Sequence, residues 1–132
     1  RGDMGIVYAA RHEKLGRDVA LKMLLAGSHA GAEASKRFHR EAEAAARLRH
    51  PHVVPIFDVG VCEGAPYLTM ELVEGGSLAQ LLAREPTSVE RAVAIVIALA
   101  DAVQVAHEHG IVHRDLKPAN VLLDREGVPK IT

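Results

Sequence analysis

The densest group of residues that could do chemistry lies in a short polar loop between two apolar segments, within residues 111–123. In this loop Asp115 is followed by Lys117 two residues later and by Asn120 five residues later. A carboxylate can accept a proton, an ammonium group can neutralise phosphate, and a side-chain amide can bind a divalent metal. A merely solvated loop would explain the charges but not this spacing, so the pattern favours a chemical role.

A second candidate lies near the start of the chain, where Gly2 and Gly5 stand three residues apart before a β-prone run. Glycines at a strand turn let the backbone approach a ligand and point its amides at phosphate oxygens. A tight hairpin turn also requires glycines, so this short motif alone leaves both interpretations open.

The third candidate is a pair of opposite charges. Lys22 lies in an apolar run and, on strand alternation, shares a face with Ala20 and Leu24. It could be an edge-strand lysine with its head in water, or a cation held in a cleft to meet phosphate. Glu41 falls on the apolar stripe of the following helix with Phe38, and a carboxylate that faces a core needs a cationic partner. We therefore expect Glu41 to pair with Lys22, while a solvated position stays open.

These motifs together resemble those of one family. Residues 113–120, His-Arg-Asp-Leu-Lys-Pro-Ala-Asn, look like the catalytic loop of protein kinases. Residues 2–7 are similar to the second half of their Gly-rich loop, residues 19–22 to their strand-lysine motif, and Glu41 to their helix glutamate. The four motifs occur in family order and the resemblance covers essentially the whole chain. The lysine after the loop aspartate favours the serine/threonine class, and residues 50–54 resemble bacterial members.

The resemblance implies how ATP would be bound. Gly2 and Gly5 would cover its phosphates, and Lys22, paired with Glu41, would hold the α- and β-phosphates. The adenine base would lie against the gatekeeper Met70, the backbone carbonyl of Glu71, the backbone amide of Val73, and the side chains of Val7, Ala20 and Leu122.

The resemblance also implies the reaction, which is transfer of the γ-phosphoryl group of Mg·ATP to serine or threonine hydroxyls of a protein substrate. Asp115 would accept the substrate hydroxyl proton, Lys117 would steady the γ-phosphate, and Asn120 would bind Mg²⁺. The first glycine of the Gly-rich motif and the family's Asp-Phe-Gly motif would lie outside residues 1–132. We therefore expect these residues alone to bind nucleotide weakly and to transfer no phosphate.

The elements that must position these residues give an α+β pattern. Strands fill the first half around one helix at residues 33–50, and two of them, at residues 53–61 and 65–73, are joined by a turn at Glu63 and Gly64. Helices dominate the second half, the longest at residues 89–109, and a short strand is expected from residue 111. The resemblance implies a protein-kinase-like two-lobe fold, in which a small antiparallel-sheet lobe with one helix precedes the start of a helical large lobe. We expect the small lobe to span residues 1–73, with a hinge at 71–75, and the partial large lobe to span 74–132.

Capping residues predict where the helices begin and end. Ser77 can cap a short helix, and Thr87 with Glu90 fits a capping box for the long one. Gly110 suits the left-handed position after its last turn. The long helix is apolar nearly all round, so we expect it to be buried on most sides in a complete lobe. In residues 1–132 alone, we expect several of its apolar side chains to be exposed.

Composition narrows the class of protein. The 132 residues carry 16 basic and 17 acidic side chains, and 48% are hydrophobic, which excludes a disordered chain and a basic nucleic-acid arm. The longest uncharged apolar run has nine residues, too few for a membrane span. We expect Cys62 to be a small buried hydrophobe in a reducing compartment, and the protein to be cytoplasmic. The basic residues of the first helix, Lys36, Arg37, Arg40, Arg47 and Arg49, alternate with glutamates and read as a solvated face rather than a nucleic-acid patch.

Two alternatives to a protein kinase stay open. A nucleotide-binding or scaffolding pseudokinase would keep the fold and lose catalysis, and the intact set Lys22, Glu41, Asp115, Lys117 and Asn120 argues against it. A small-molecule phosphotransferase of kinase-like fold is disfavoured because its catalytic loop usually lacks the Arg-Asp-Leu-Lys run. The eight histidines do not predict a metal site, because no cysteine or carboxylate cluster completes a ligand set.

Overall fold

The computed structural model describes residues 5–24 and 31–132, which divide into two compact units. The first unit consists of the described residues up to Arg47 together with Pro55–Leu72. The second consists of Leu48–Val54 and Val73–Thr132. The division therefore falls between Leu72 and Val73, and the short segment 48–54 belongs to the second unit although the sequence suggested the first. The elements of the first unit are β1 (Gly5–His12), β2 (Arg17–Leu24), α1 (Ala32–Ala46), β3 (Ile56–Cys62) and β4 (Ala65–Glu71).

The first unit is built on a four-stranded antiparallel sheet in the order β1-β2-β4-β3. The hairpin of β3 and β4 turns at Glu63 and Gly64, whose φ angles of 49° and 79° match the tight turn that the sequence predicts. Cys62 at the end of β3 is exposed, so the prediction of a buried thiol is wrong. The reason is its position at the rim of the sheet, next to this turn.

Helix α1 packs on β3 and β4 and buries Ala42. It ends at Ala46, four residues before the predicted end at His50. The Arg47 amide donates to the Ala44 carbonyl at 3.2 Å, which tightens and closes the last turn. Pro51 then disfavours helical backbone at the residue before it, so the chain leaves the helix early.

The segment 48–54 is held by strand β6 (Pro129–Ile131) within the second unit. The Val54 amide donates to the Ile131 carbonyl at 2.9 Å, and the Ile131 amide donates to the His52 carbonyl at 2.8 Å. The His52 ring adds a hydrogen bond from Nδ1 to the Pro129 carbonyl at 2.8 Å. The predicted strand from residue 53 therefore begins only at residue 56.

The second unit also contains α2 (Leu78–Arg84), α3 (Val89–Glu108), a short 3₁₀ turn (Pro118–Asn120) and β5 (Val121–Leu123), which pairs antiparallel with β6. Ser77 caps α2 as predicted. Its Oγ accepts from the Gln80 amide at 3.2 Å, and the Gln80 side chain accepts from the Ser77 amide at 2.9 Å.

The start of α3 differs from the predicted capping box by one residue. Ser88, not Thr87, is the N-cap, and its Oγ accepts from the Arg91 amide at 3.2 Å. Within the described residues the Thr87 hydroxyl is buried without a hydrogen-bond partner. Either hydroxyl fits the sequence pattern, and in the structure the helix begins after Ser88.

The end of α3 is the predicted one. Gly110 has a φ of 74°, and its amide donates to the His107 carbonyl at 2.9 Å. The Ile111 amide donates to the Ala106 carbonyl at 2.9 Å, which completes a Schellman motif. These bonds tie Ile111 to the helix, so the strand expected from residue 111 does not form.

The core of the second unit lies between α2, α3 and β5 and consists of buried Leu78, Leu81, Ile95, Val121 and Leu123. Only one side of α3 is covered, and its buried residues are Ile95 and Ala102. Burial of α3 on most sides is thus absent within the described residues. As expected, several of its apolar side chains are exposed, and they include Val89, Val93, Val96 and Ile97. None of the described helices is both long and apolar enough to span a bilayer.

Candidate active site

The strand register of the first unit brings four of the sequence-predicted nucleotide residues to one face of the sheet. Val7 on β1 lies opposite Lys22 on β2, and Ala20 on β2 lies opposite Met70 on β4. Directly opposed residues share a face, and so do residues two apart along a strand. Ala20 and Met70 are buried, Lys22 is half-buried, and Val7 is exposed.

Glu41 does not pair with Lys22 in this structure. Within the described residues Lys22 forms no ion pair, and the Glu41 carboxylate lies 3.7 Å from Arg37 Nε, one helical turn earlier. Both side chains of that pair are more than half exposed. The expectation that Glu41 faces the core is therefore wrong in this structure. At about 100° per residue, Glu41 stands about 100° around the helix from the buried Ala42, on the flank of the apolar stripe.

The remaining predicted residues of the first unit are Gly2, Gly5 and Glu71. Gly2 lies outside the described residues, and Gly5 is the first residue of β1. Glu71 ends β4, and its amide donates to the Pro55 carbonyl at 3.0 Å. That bond fixes the backbone at the exit of the sheet, which is where the hinge is predicted to begin.

In the second unit the loop residues do come together. Lys117 Nζ lies 3.1 Å from Asp115 Oδ2, and Asn120 Nδ2 donates to the same oxygen at 3.0 Å. Asn120 Nδ2 also donates to the Asp115 backbone carbonyl at 2.8 Å. The 3₁₀ turn that begins at Pro118 folds Asn120 back over the loop, because proline fixes φ at the first position of such a turn.

Two further residues hold the aspartate, and neither was among the predicted site residues. His113 Nδ1 accepts from the Asp115 amide at 3.2 Å, and its Nε2 lies 2.9 Å from the Thr132 carbonyl. Since a carbonyl only accepts, Nε2 is the donor in this contact. Arg114 has a φ of 68°, a left-handed conformation that turns the chain sharply between them. The sequence signal for both was their membership of the 113–120 motif.

The electrostatic setting keeps Asp115 ionised. The hydrogen bond from the Lys117 ammonium group lowers the pKa of the Asp115 carboxyl below its ordinary value of 3.8. Desolvation by neighbouring atoms opposes this change, whereas the Asn120 hydrogen bond and the positive charge of Lys117 reinforce it. At neutral pH the carboxylate is thus an exposed, oriented hydrogen-bond acceptor.

The loop can also contribute to a divalent cation. Because Asn120 Nδ2 is engaged by Asp115, its amide oxygen is oriented away from that carboxylate, and such hard oxygens are the ligands Mg²⁺ prefers. Among residues 5–24 and 31–132 no group of three or more His, Cys, Asp or Glu side chains could hold a metal by itself. The donor set fits a cation that is held mainly by phosphate oxygens.

The last two predicted residues, Val73 and Leu122, are half-buried in the second unit. Leu122 lies on β5 and forms an antiparallel bridge with Ser77, which follows the predicted hinge. The half-buried state leaves part of each side chain able to contact a ligand.

Comparison with known proteins identifies the family of this chain. The whole chain, residues 1–132, matches the family described as "Protein kinase domain". The serine/threonine-protein kinase PknH of Mycobacterium tuberculosis is 44% identical over 127 residues, which are 96% of this chain and 20% of that protein. A probable serine/threonine-protein kinase PknB of Lactococcus lactis is 42% identical over 134 residues, which cover 100% of this chain and 21% of that protein.

A solved structure agrees with the sequence matches. The crystal structure of the kinase domain of Mycobacterium tuberculosis PknI, a C20A mutant, superposes with a TM-score of 0.86 at 36% identity. The match covers 99% of this chain and 54% of the other. This chain thus spans about a fifth of the length of the two curated relatives and about half of the solved domain.

Proposed function

Because this chain belongs to the protein kinase family, we propose that it carries the ATP-binding and proton-accepting residues of a serine/threonine protein kinase. The observation that carries the proposal is the Asp115 carboxylate, held by Lys117 at 3.1 Å and by Asn120 at 3.0 Å. An ionised, exposed carboxylate fixed by two donors is the group that a substrate hydroxyl needs as proton acceptor.

Each residue of the loop has a distinct part in the proposed reaction. Asp115 accepts the proton of the serine or threonine hydroxyl as the oxygen attacks the γ-phosphorus of ATP, and the bond from that phosphorus to the β,γ-bridging oxygen breaks to release ADP. Lys117 steadies the γ-phosphate and compensates the charge that develops on its oxygens. His113 acts through Asp115, because its ring accepts from the Asp115 amide and so fixes the backbone at the proton acceptor.

The sheet of the first unit supplies groups for the nucleotide. Lys22 meets the α- and β-phosphates, and Gly2 and Gly5 cover them with backbone amides. Val7, Ala20 and Met70 offer an apolar surface to adenine, and the shared face of Val7, Lys22 and Ala20 supports this role. The proposed contacts of adenine with Glu71, Val73 and Leu122 complete the set.

The family as a whole uses ATP and Mg²⁺. In this chain Asn120 is the residue that would hold Mg²⁺ through its amide oxygen, and the metal would neutralise phosphate charge. The pairing of Glu41 with Lys22 belongs to the same proposal. Since Glu41 is paired with Arg37 here, its role requires that α1 turn or shift so that the carboxylate reaches Lys22.

A protein substrate and a cytoplasmic location are further parts of the proposal. Lys117, two residues after Asp115, supports a serine or threonine acceptor over tyrosine, as in the matched relatives. An exposed free thiol at Cys62 is stable in a reducing compartment.

The test is direct. The full-length protein, incubated with Mg²⁺, γ-labelled ATP and a generic basic protein substrate, should transfer label to serine or threonine, identified by mass spectrometry. Binding of ATP without any transfer, by protein that is folded and free of bound inhibitor, would favour the pseudokinase instead.

A further inference from the structure

The end of the predicted hinge and the residues directly after it are bound to strand β5 by backbone hydrogen bonds. The Gly75 amide donates to the Leu123 carbonyl at 2.8 Å, and the Leu123 amide donates to the Gly76 carbonyl at 2.8 Å. An antiparallel bridge between Ser77 and Leu122 continues the pairing. Residues 74–77, which we call the clamp segment, therefore lie along β5 on the edge not used by β6.

The clamp segment approaches β5 so closely that one of its positions admits only glycine. A Cβ atom on Gly75 would overlap with the backbone carbonyl oxygens of Leu123 and Asp124. Backbone atoms cannot turn aside as a flexible side chain does, so a larger residue must push the clamp segment away from β5. The neighbouring Gly76 is different, because its Cβ would meet only the end of the Gln80 side chain.

An ion pair fastens the same segment to the turn that follows β5. Arg125 Nη2 donates to Glu74 Oε2. The turn is shaped by Asp124, whose Oδ1 accepts from the amides of Glu126 and Val128 at 2.9 Å each. Arg125 is thus carried on a hydrogen-bonded turn and reaches back to the first residue of the clamp segment.

These contacts flank two residues that contact the adenine base in the proposed function. Val73 directly precedes the clamp segment, and Leu122 lies on the strand to which that segment is paired. We propose that Gly75 and the Glu74–Arg125 pair are positioning residues for nucleotide binding, which set the spacing between the Val73 backbone amide and the Leu122 side chain. The inference rests on the proposed function and adds residues that touch no part of ATP.

Charge exchange tests the ion pair in the full-length protein. Glu74→Arg and Arg125→Glu should each raise the KM for ATP about two- to fivefold, the range of an exposed pair replaced by repulsion, with kcat nearly unchanged. The double exchange should restore KM to within about twofold, because the pair is rebuilt in reverse. The matched control is the Arg11–Asp18 pair, which is 3.1 Å apart, similarly exposed and located next to the turn of the β1–β2 hairpin in the first unit. Its exchange should leave KM unchanged.

Gly75→Ala tests the close approach. We expect a rise in the KM for ATP of about tenfold or more, because displacements near 1 Å at a binding site carry large costs. Gly31→Ala is the control, since a Cβ there meets nothing within 4 Å. Both variants are compared by thermal unfolding, and the kinetics are measured well below the lower Tm.

The outcomes separate the two proposals. An unchanged KM in the charge variants, or a double exchange that restores nothing, would overturn the positioning role while an active wild type keeps the proposed function. A Gly75→Ala variant that only unfolds at lower temperature, with a normal KM, would also overturn it. A wild-type protein that neither binds nor turns over ATP would refute the proposed function and this inference with it.

Discussion

The loop around Asp115 and the pair of Lys22 with Glu41 are both proposed to serve phosphoryl transfer, but only the loop has its contacts formed. Asp115, Lys117 and Asn120 lie within a stretch of six residues, and their side chains meet at 3.1 Å or less. Lys22 and Glu41 are nineteen positions apart, on a strand and a helix, and Glu41 is paired with Arg37 instead.

The difference shows what fixes each contact. In the loop a left-handed residue, a proline turn and a histidine hydrogen bond fix the backbone, and this backbone brings the three side chains together. The helix pair depends on how α1 is rotated and placed on the sheet, and an exposed carboxylate on a helix always has neighbours one turn away. The first arrangement is preorganised, and the second can be switched.

The largest expected effect is on the preorganised loop. Asp115→Asn in the full-length protein should lower the phosphotransfer rate about 10²–10⁴-fold, because the amide cannot accept the hydroxyl proton. ATP affinity should change little, since Asp115 is not a proposed ligand of the nucleotide. A labelled-ATP assay and a binding titration measure the two quantities separately. Asp101→Asn, at an exposed position on α3, is the control and should be fully active.

The second prediction concerns the switchable pair. Lys22→Met should lower the rate about 10²–10³-fold, the scale of one lost transition-state donor. Glu41→Gln should also lower it, and the double variant should be much less impaired than the product of the two, because they act through one contact. Glu43→Gln, which removes the His39 partner 3.2 Å away on the same helix, is the control. Full additivity of Lys22→Met and Glu41→Gln would mean that the two side chains never meet.

The third prediction uses the charge of Lys117. Lys117→Met should lower the rate about 10²-fold at neutral pH. It should also raise the pKa of Asp115, because the Lys117 hydrogen bond is the main cause of its lowered value. Asp115 works as the carboxylate, so activity is lost as pH falls through its pKa, and in the variant that loss should begin at higher pH. An NMR titration of the Asp115 carboxyl checks the sign without catalysis; an unchanged or lower pKa would contradict it.

Local signals in the sequence predicted much of this structure. The α+β fold of protein kinase type is confirmed, as are the cap at Ser77 and the left-handed Gly110. The loop contacts could be anticipated for the same reason, because Lys117 and Asn120 follow Asp115 by only two and five residues. The residues that were predicted wrongly are those whose positions depend on tertiary contacts.

Three examples show this limit. The segment 48–54 reads as helix end and strand start, but hydrogen bonds to Ile131 and Pro129, about eighty residues away, hold it elsewhere. Glu41 lies one position from the buried Ala42, so a small rotation of α1 decides whether it faces the core. Gly75 looks like an ordinary hinge glycine, and only the pairing with β5 shows that a side chain has no room there.

The smallest expected effect addresses Arg37, which holds Glu41 in this structure at 3.7 Å. If Glu41 must reach Lys22 for catalysis, Arg37 competes for it, and Arg37→Gln should raise kcat/KM. A helical pair of this spacing is worth about 0.2–0.5 kcal/mol, so the increase should be about twofold or less. The basic residue precedes the acidic one here, which is the weaker orientation with the helix dipole and puts the expected value at the low end.

Lys36→Gln removes the same charge from the adjacent exposed position, and it is the matched control because the pair of Arg37 with Glu41 stays intact. Salt gives a second readout, since screening should weaken the Arg37 pair and raise the wild-type rate towards that of Arg37→Gln. The variant itself should respond less to salt. A rate that falls in Arg37→Gln but not in Lys36→Gln would mean that Arg37 supports the active arrangement of α1, and competition for Glu41 would then be the wrong description of this helix.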